Sequence, residues 1–86
     1  MRKGSKEVLA MDYQKAVLDK EATSIKLRFL RINANLTHEG LAALLQLNTP
    51  RVIYDWECAK KMPNVENLYN LALIFNMKME DLLVMR

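Results

Sequence analysis

The 86-residue sequence is poor in the residues that most chemical sites require. Its one cysteine, Cys58, has no partner for an internal disulfide, so a reducing, cytoplasmic setting is expected. His38 is its one histidine, and one imidazole with one thiol falls short of a metal ligand set. Two glycines in the whole chain leave nothing resembling a phosphate-cradling loop, and there is no paired-carboxylate or nucleophile–base combination. Neither an enzyme nor a bound cofactor is expected. No unbroken apolar run exceeds that of Leu41 to Leu45, which is far too short to cross a membrane. Glu7 and Asp12 interrupt the stretch that a signal peptide would need.

What the chain has is ordinary globular composition, 51% apolar and 27% charged, which argues against disorder. Its length fits one domain with a small core. The net charge of +3 is carried by Arg2, Lys3 and Lys6, because positive and negative side chains balance over residues 7–86. A basic terminus of this kind is either an arm over an acidic partner or a ragged end. A nucleic-acid function therefore has to rest on where individual cations sit.

Apolar residues recur at helical spacing, with polar caps at the breaks. Thr23 is expected to cap a helix through Ile25 to about Asn33, with Leu27 and Leu30 inward and Asn33 or Asn35 closing it. Thr37 caps a second helix to about Gln46 that buries Leu41, Leu44 and Leu45. A short turn at Leu47–Asn48 follows. Thr49 then caps a third helix starting at Pro50, where a missing N–H costs nothing, with Val52, Ile53 and Trp56 inward. Pro63 and Asn64 open a fourth helix that places Leu68, Leu71, Ala72 and Phe75 in the core and ends at Asn76. A fifth, from about Met79 to Val84, covers the end with Leu82 and Leu83. The expectation is an all-α, compact five-helix domain over residues 23–86, preceded by a short N-terminal extension, 1–22. Within the extension, Tyr13 to Leu18 fits either a helical stripe or an edge strand. Ile25, Phe29 and Ile32 form a second apolar stripe on the first helix, which residues 8–18 or a second subunit would have to cover.

The third helix buries so little of itself that Thr49, Pro50, Arg51, Tyr54 and Asp55 are left facing outward together. A major groove admits one helix, whose first turn can bring side chains to base edges. LTHEGLAALL, PRVIYDWE, Pro63 and ENLYNLALIFNMKMEDLL, in that order, resemble the Cro/lambda-repressor-like (XRE) helix-turn-helix family over residues 23–84. The resemblance implies a DNA-binding regulator, commonly a homodimer on two-fold sites, with residues 50–57 as the recognition helix and the start of the preceding helix against a phosphate. It also implies an Arg31–Glu57 pair tying the first helix to the third. Two positions depart from the family: Ala59 stands where glycine follows the recognition helix, and Asp55 where a cation often precedes the tryptophan.

The expected DNA-facing residues are Thr37, His38, Asn48, Thr49, Pro50, Arg51, Tyr54, Asp55, Lys60 and Lys61, with Arg31, Glu57, Ile53 and Trp56 as their structural support. Arg51 suits guanine or phosphate, or pairs with Asp55 across one helical turn. Thr49 is a cap, a phosphate ligand or both. Tyr54 either meets a sugar or thymine methyl or packs on a neighbouring helix. Asp55 accepts from a cytosine amino group or from a cation of its own chain. His38 is either a phosphate donor or simply exposed, and Lys60 and Lys61 either clamp phosphates or remain solvated. Residues 1–22 are the candidate grip for a protein partner, as an antitoxin-type regulator would need. A module keeping the fold without binding DNA is the remaining alternative.

Overall fold

The computed structural model describes residues 13–86. It is all-α: α1 (Lys20–Asn33), α2 (His38–Leu44), α3 (Arg51–Glu57) and α4 (Val65–Phe75), followed by a single 3-10 turn, Met79–Leu82. The core is formed by Leu27 of α1, Leu41 and Ala42 of α2, Ile53 and Trp56 of α3, Leu71 and Ala72 of α4, and Leu82. Every helix contributes to one apolar cluster, which removes these side chains from water at roughly 25 cal/mol per Å².

The caps decide where the helices begin. Asp19 rather than Thr23 starts α1: its carboxylate accepts from the Ala22 N–H at 3.0 Å, one turn earlier than expected. The helix thus runs through position 22/23. Thr23 is fully buried and spends its hydroxyl elsewhere, accepting from the Val84 N–H at 3.0 Å. Thr37 and Asn64 cap α2 and α4 through the Gly40 and Asn67 N–H groups, as expected.

Scarce glycine shapes the other ends. Asn35, Gln46, Ala59 and Asn76 all have φ between 54° and 61°. After all four helices the same pair of reversed bonds follows, for example Lys60 N–H to the Asp55 carbonyl and Ala59 N–H to that of Trp56. These are turns that glycine enters freely and other residues enter under strain.

Three expectations need correction. The second helix ends at Leu44, not Gln46, and Leu44 is 55% exposed; Leu45 packs inward as expected, and beyond the left-handed Gln46 it is Leu47 that joins it. The third helix starts at Arg51, not Pro50, so the connection spans residues 45–50. The fifth helix is only the 3-10 turn, because Leu83 is already extended (φ −99°, ψ 140°) to lead the last residues into backbone pairing. Asp19 donates to Val84 at 2.8 Å, Arg86 donates to Val17 at 2.7 Å, and Leu18 and Met85 form an isolated antiparallel bridge. The bridge is confined to Leu18, and residues 13–17 adopt neither the helical stripe nor an edge strand.

Residues 13–17 are exposed along this pairing and leave the second stripe of α1 open, with Ile25 70%, Phe29 61% and Ile32 52% exposed. Residues 8–12, the rest of the segment expected to cover it, lie outside the described residues. So do Arg2, Lys3 and Lys6. Among the described residues, no helix is long and apolar enough to cross a membrane.

Candidate nucleic-acid interface

Only seven residues long, α3 turns one edge to the core and the other to solvent. Ile53 and Trp56 are buried; Arg51 and Tyr54 are exposed. Its first N–H groups are partly satisfied by Thr49, whose hydroxyl accepts from Arg51 N–H at 3.2 Å, so Thr49 holds the start of the helix although Pro50 occupies the boundary.

Thr49, Pro50, Arg51, Tyr54, Asp55 and Lys60 line one open concavity of about 480 Å³, together with Cys58. Six of the expected DNA-facing residues are thus brought together. Arg51 and Asp55 are 3.8 Å apart across one helical turn, with the guanidinium side chain 73% exposed, a loose surface pair worth a few tenths of a kcal/mol. Asn48 and Lys61 are exposed but do not line the concavity. Thr37 is exposed as well, with its hydroxyl occupied by the α2 cap.

Behind the reading edge lies a charged clamp. Arg31 Nε donates to Glu57 Oε2 at 2.6 Å, its second terminal nitrogen donates to Oε1 at 3.2 Å, and its other nitrogen donates to the Leu36 carbonyl at 2.8 Å. The two side chains are 8% and 7% exposed, so the bidentate pair is buried between α1 and α3. His38 joins it from α2, with Nε2 at 3.1 Å from Glu57 Oε1, and its ring stacks on Tyr54 with centroids 3.8 Å apart and planes inclined by 14°. His38 is therefore neither simply exposed nor free to turn toward a ligand. The neighbouring-helix contact foreseen for Tyr54 is this stack, yet the residue remains 45% exposed.

Two residues escaped the reading of the sequence. Arg28 shares a smaller cleft of about 190 Å³ with His38, Tyr54, Glu57 and Cys58, which brings a further cation beside the reading edge. Its spacing of three from Arg31 puts both on neighbouring faces of α1 and was the available signal. Cys58 borders both hollows. Ala59 is left-handed at φ 61°, so the glycine position of the family is filled by a strained residue.

Two short helices about one connection, the second presenting a polar edge, define a helix-turn-helix module. The helix-turn-helix family profile matches residues 27–82, more than half of the chain. The protein belongs to this family, the XRE-type DNA-binding transcription regulators. Among solved structures, the chain is similar to the restriction-modification controller protein C.AhdI from Aeromonas hydrophila, with 25% identity, TM-score 0.67, and coverage of 74% of this chain and 96% of that one. A hypothetical transcription factor, NHTF, from Neisseria has 18% identity and TM-score 0.66 over 84% of this chain and 87% of its own, and shows the shared fold. FeII HppE in complex with substrate also matches, with TM-score 0.67 and 21% identity, over 76% of this chain but 37% of its own length, so that likeness carries no chemistry here. No curated protein matches the sequence.

Proposed function

We propose that the chain is a sequence-specific transcriptional regulator that lays α3 in the major groove of duplex DNA and occupies two-fold operators as a homodimer. The observation that carries this reading is the open concavity along the outer edge of α3, where Thr49, Arg51, Tyr54 and Lys60 converge and which no residue of the 13–18 segment lines. Arg51 reads guanine or binds phosphate, with Asp55 holding it in place. Thr49 and Asn48 approach the backbone, Pro50 sets the entry of the helix, and Lys60 and Lys61 clamp phosphates. The likeness to a restriction-modification controller over nearly all of that protein supports the same role. Residues 23–86 are the DNA-binding unit, in a cytoplasmic setting.

Titration of a random-sequence duplex from low to moderate salt tests it. Each neutralised phosphate lowers log K by about 0.9 per decade of salt, so a handful of contacts gives a slope of about −4 to −6. No binding, or a flat salt response, would refute the reading. In a dimer bound to a two-fold site, the two copies of α3 should stand about 34 Å apart, one turn of DNA.

The exposed stripe Ile25, Phe29 and Ile32 favours a second reading, in which the α1 face and the extension 1–22 bind a second subunit or a protein partner, as an antitoxin-type regulator would. Under it, Phe29→Ser changes oligomeric state in sedimentation. An unchanged sedimentation profile and melting temperature would discard it.

A further inference from the structure

We propose that His38 is a positioning residue for base recognition, holding Tyr54 as a fixed plate at the edge of the major groove. The inference rests on the DNA-binding reading above and assigns the sequence-discriminating contact within it. One face of Tyr54 lies flat on His38, at 3.8 Å and 14°, while the residue as a whole borders the concavity that Arg51 and Lys60 also line. An exposed tyrosine on a short helix would ordinarily sample several rotamers, and ordering it on binding would weaken the complex. Here the imidazole supplies the missing wall.

The imidazole is itself fixed. Its Nε2 meets Glu57 Oε1 at 3.1 Å, and that carboxylate is locked from the other side by two nitrogens of Arg31. Donation to a carboxylate requires a proton on Nε2, which defines the ring's orientation and leaves its flat face for Tyr54. An ordered series therefore runs from the buried ion pair, through His38, to a half-exposed aromatic ring. A phenol ring presented this way suits apolar contact with a thymine methyl, a contact whose strength depends on which base is present. The expectation of a direct His38–phosphate bond is replaced by an indirect role.

Two substitutions separate the functions of the imidazole. His38→Gln keeps a donor for Glu57 and removes the ring; His38→Phe keeps the ring and removes the donor. The probes are a duplex selected by the wild-type protein from a random pool and an alternating dG·dC duplex, which has no thymine methyl. His38→Gln should bind the selected duplex roughly threefold to tenfold more weakly, the size of ordering one side chain, and the dG·dC duplex within about twofold of wild type. His38→Phe should stay within about twofold on both. An equal loss on both duplexes by both variants would make His38 a phosphate ligand and overturn the proposal, as would an unchanged His38→Gln.

A second readout needs no DNA. Three-bond couplings of Tyr54 should report one χ1 rotamer in the wild type and in His38→Phe, and averaging in His38→Gln. Averaged couplings in the wild type would overturn the proposal at its origin. Ordered couplings in a protein that binds neither duplex would refute the DNA-binding reading and leave the stack intact. Far-UV circular dichroism and Trp56 fluorescence at wild-type values establish that each variant is folded.

Discussion

Helix α3 is gripped by contacts of two kinds. Ile53 and Trp56 sit in one apolar cluster with Leu27, Leu41, Ala42, Leu71, Ala72 and Leu82. Toward α1 and α2, Glu57 is held by Arg31 and His38 through bonds of defined length and direction. Apolar burial is non-directional, so it fixes that the helix packs but tolerates some rotation about its axis. A bidentate guanidinium–carboxylate pair tolerates little. The comparison teaches that the adhesive and the aiming contacts of one helix can be made by different residues, with stability in one set and orientation in the other.

The largest effect should come from the adhesive contacts. Trp56→Ala removes the biggest core side chain of α3 and should lower unfolding free energy by about 3–5 kcal/mol, measured by urea denaturation. Glu57→Ala strands a buried guanidinium and should cost about 3 kcal/mol. The sharper test is the paired replacement Arg31→Met with Glu57→Leu, since an apolar pair often restores what a broken ion pair loses. Stability should return to within about 1 kcal/mol of wild type, whereas affinity for a selected duplex should not recover, because the directional bonds that set the rotation of α3 are gone. Full recovery of both would abolish the distinction between the two sets.

Smaller effects lie away from α3's own contacts. Thr23→Val leaves the Val84 N–H without its acceptor and should cost about 1–2 kcal/mol, with no change in the salt slope of DNA binding. Ala59→Gly relieves a left-handed alanine and should stabilise by about 0.5–1 kcal/mol, the steric relief outweighing the entropy that glycine adds to the unfolded chain. A loss of stability instead would show that the strain at φ 61° is absorbed elsewhere.

Legibility in the sequence followed the range of the interaction. Thr37, Asn64, Asn35 and Asn76 act within one turn of themselves, and their roles as caps and stops could be read from residue type and position. The apolar stripe of α3 could be read for the same reason. Asp19 is not singled out by its type, since Thr23, four residues on, is an equally good cap. What decides between them is Val84, 61 residues away from Thr23. The Arg31–Glu57 pair was legible by resemblance alone. The His38–Tyr54 stack had no signature, since neither residue's local pattern points at the other across two helices. Arg28 had a local signal, its spacing from Arg31, but no indication that this face turns toward α3. The outward set on α3 was legible because its complement, the buried set, is so small.

The seam between Val17–Asp19 and Val84–Arg86 has a consequence for the order of events during synthesis. The residues that initiate α1 are made well before the backbone partners that tie down its start, since Asp19 pairs with Val84 and Val17 with Arg86. A nascent chain extending through α4 can already assemble Leu27, Leu41, Ile53, Trp56 and Leu71, but its first helix still lacks the segment that fixes its origin. Maturation would then occur in two stages, an early collapse around the tryptophan and a late fastening once Val84–Arg86 have emerged.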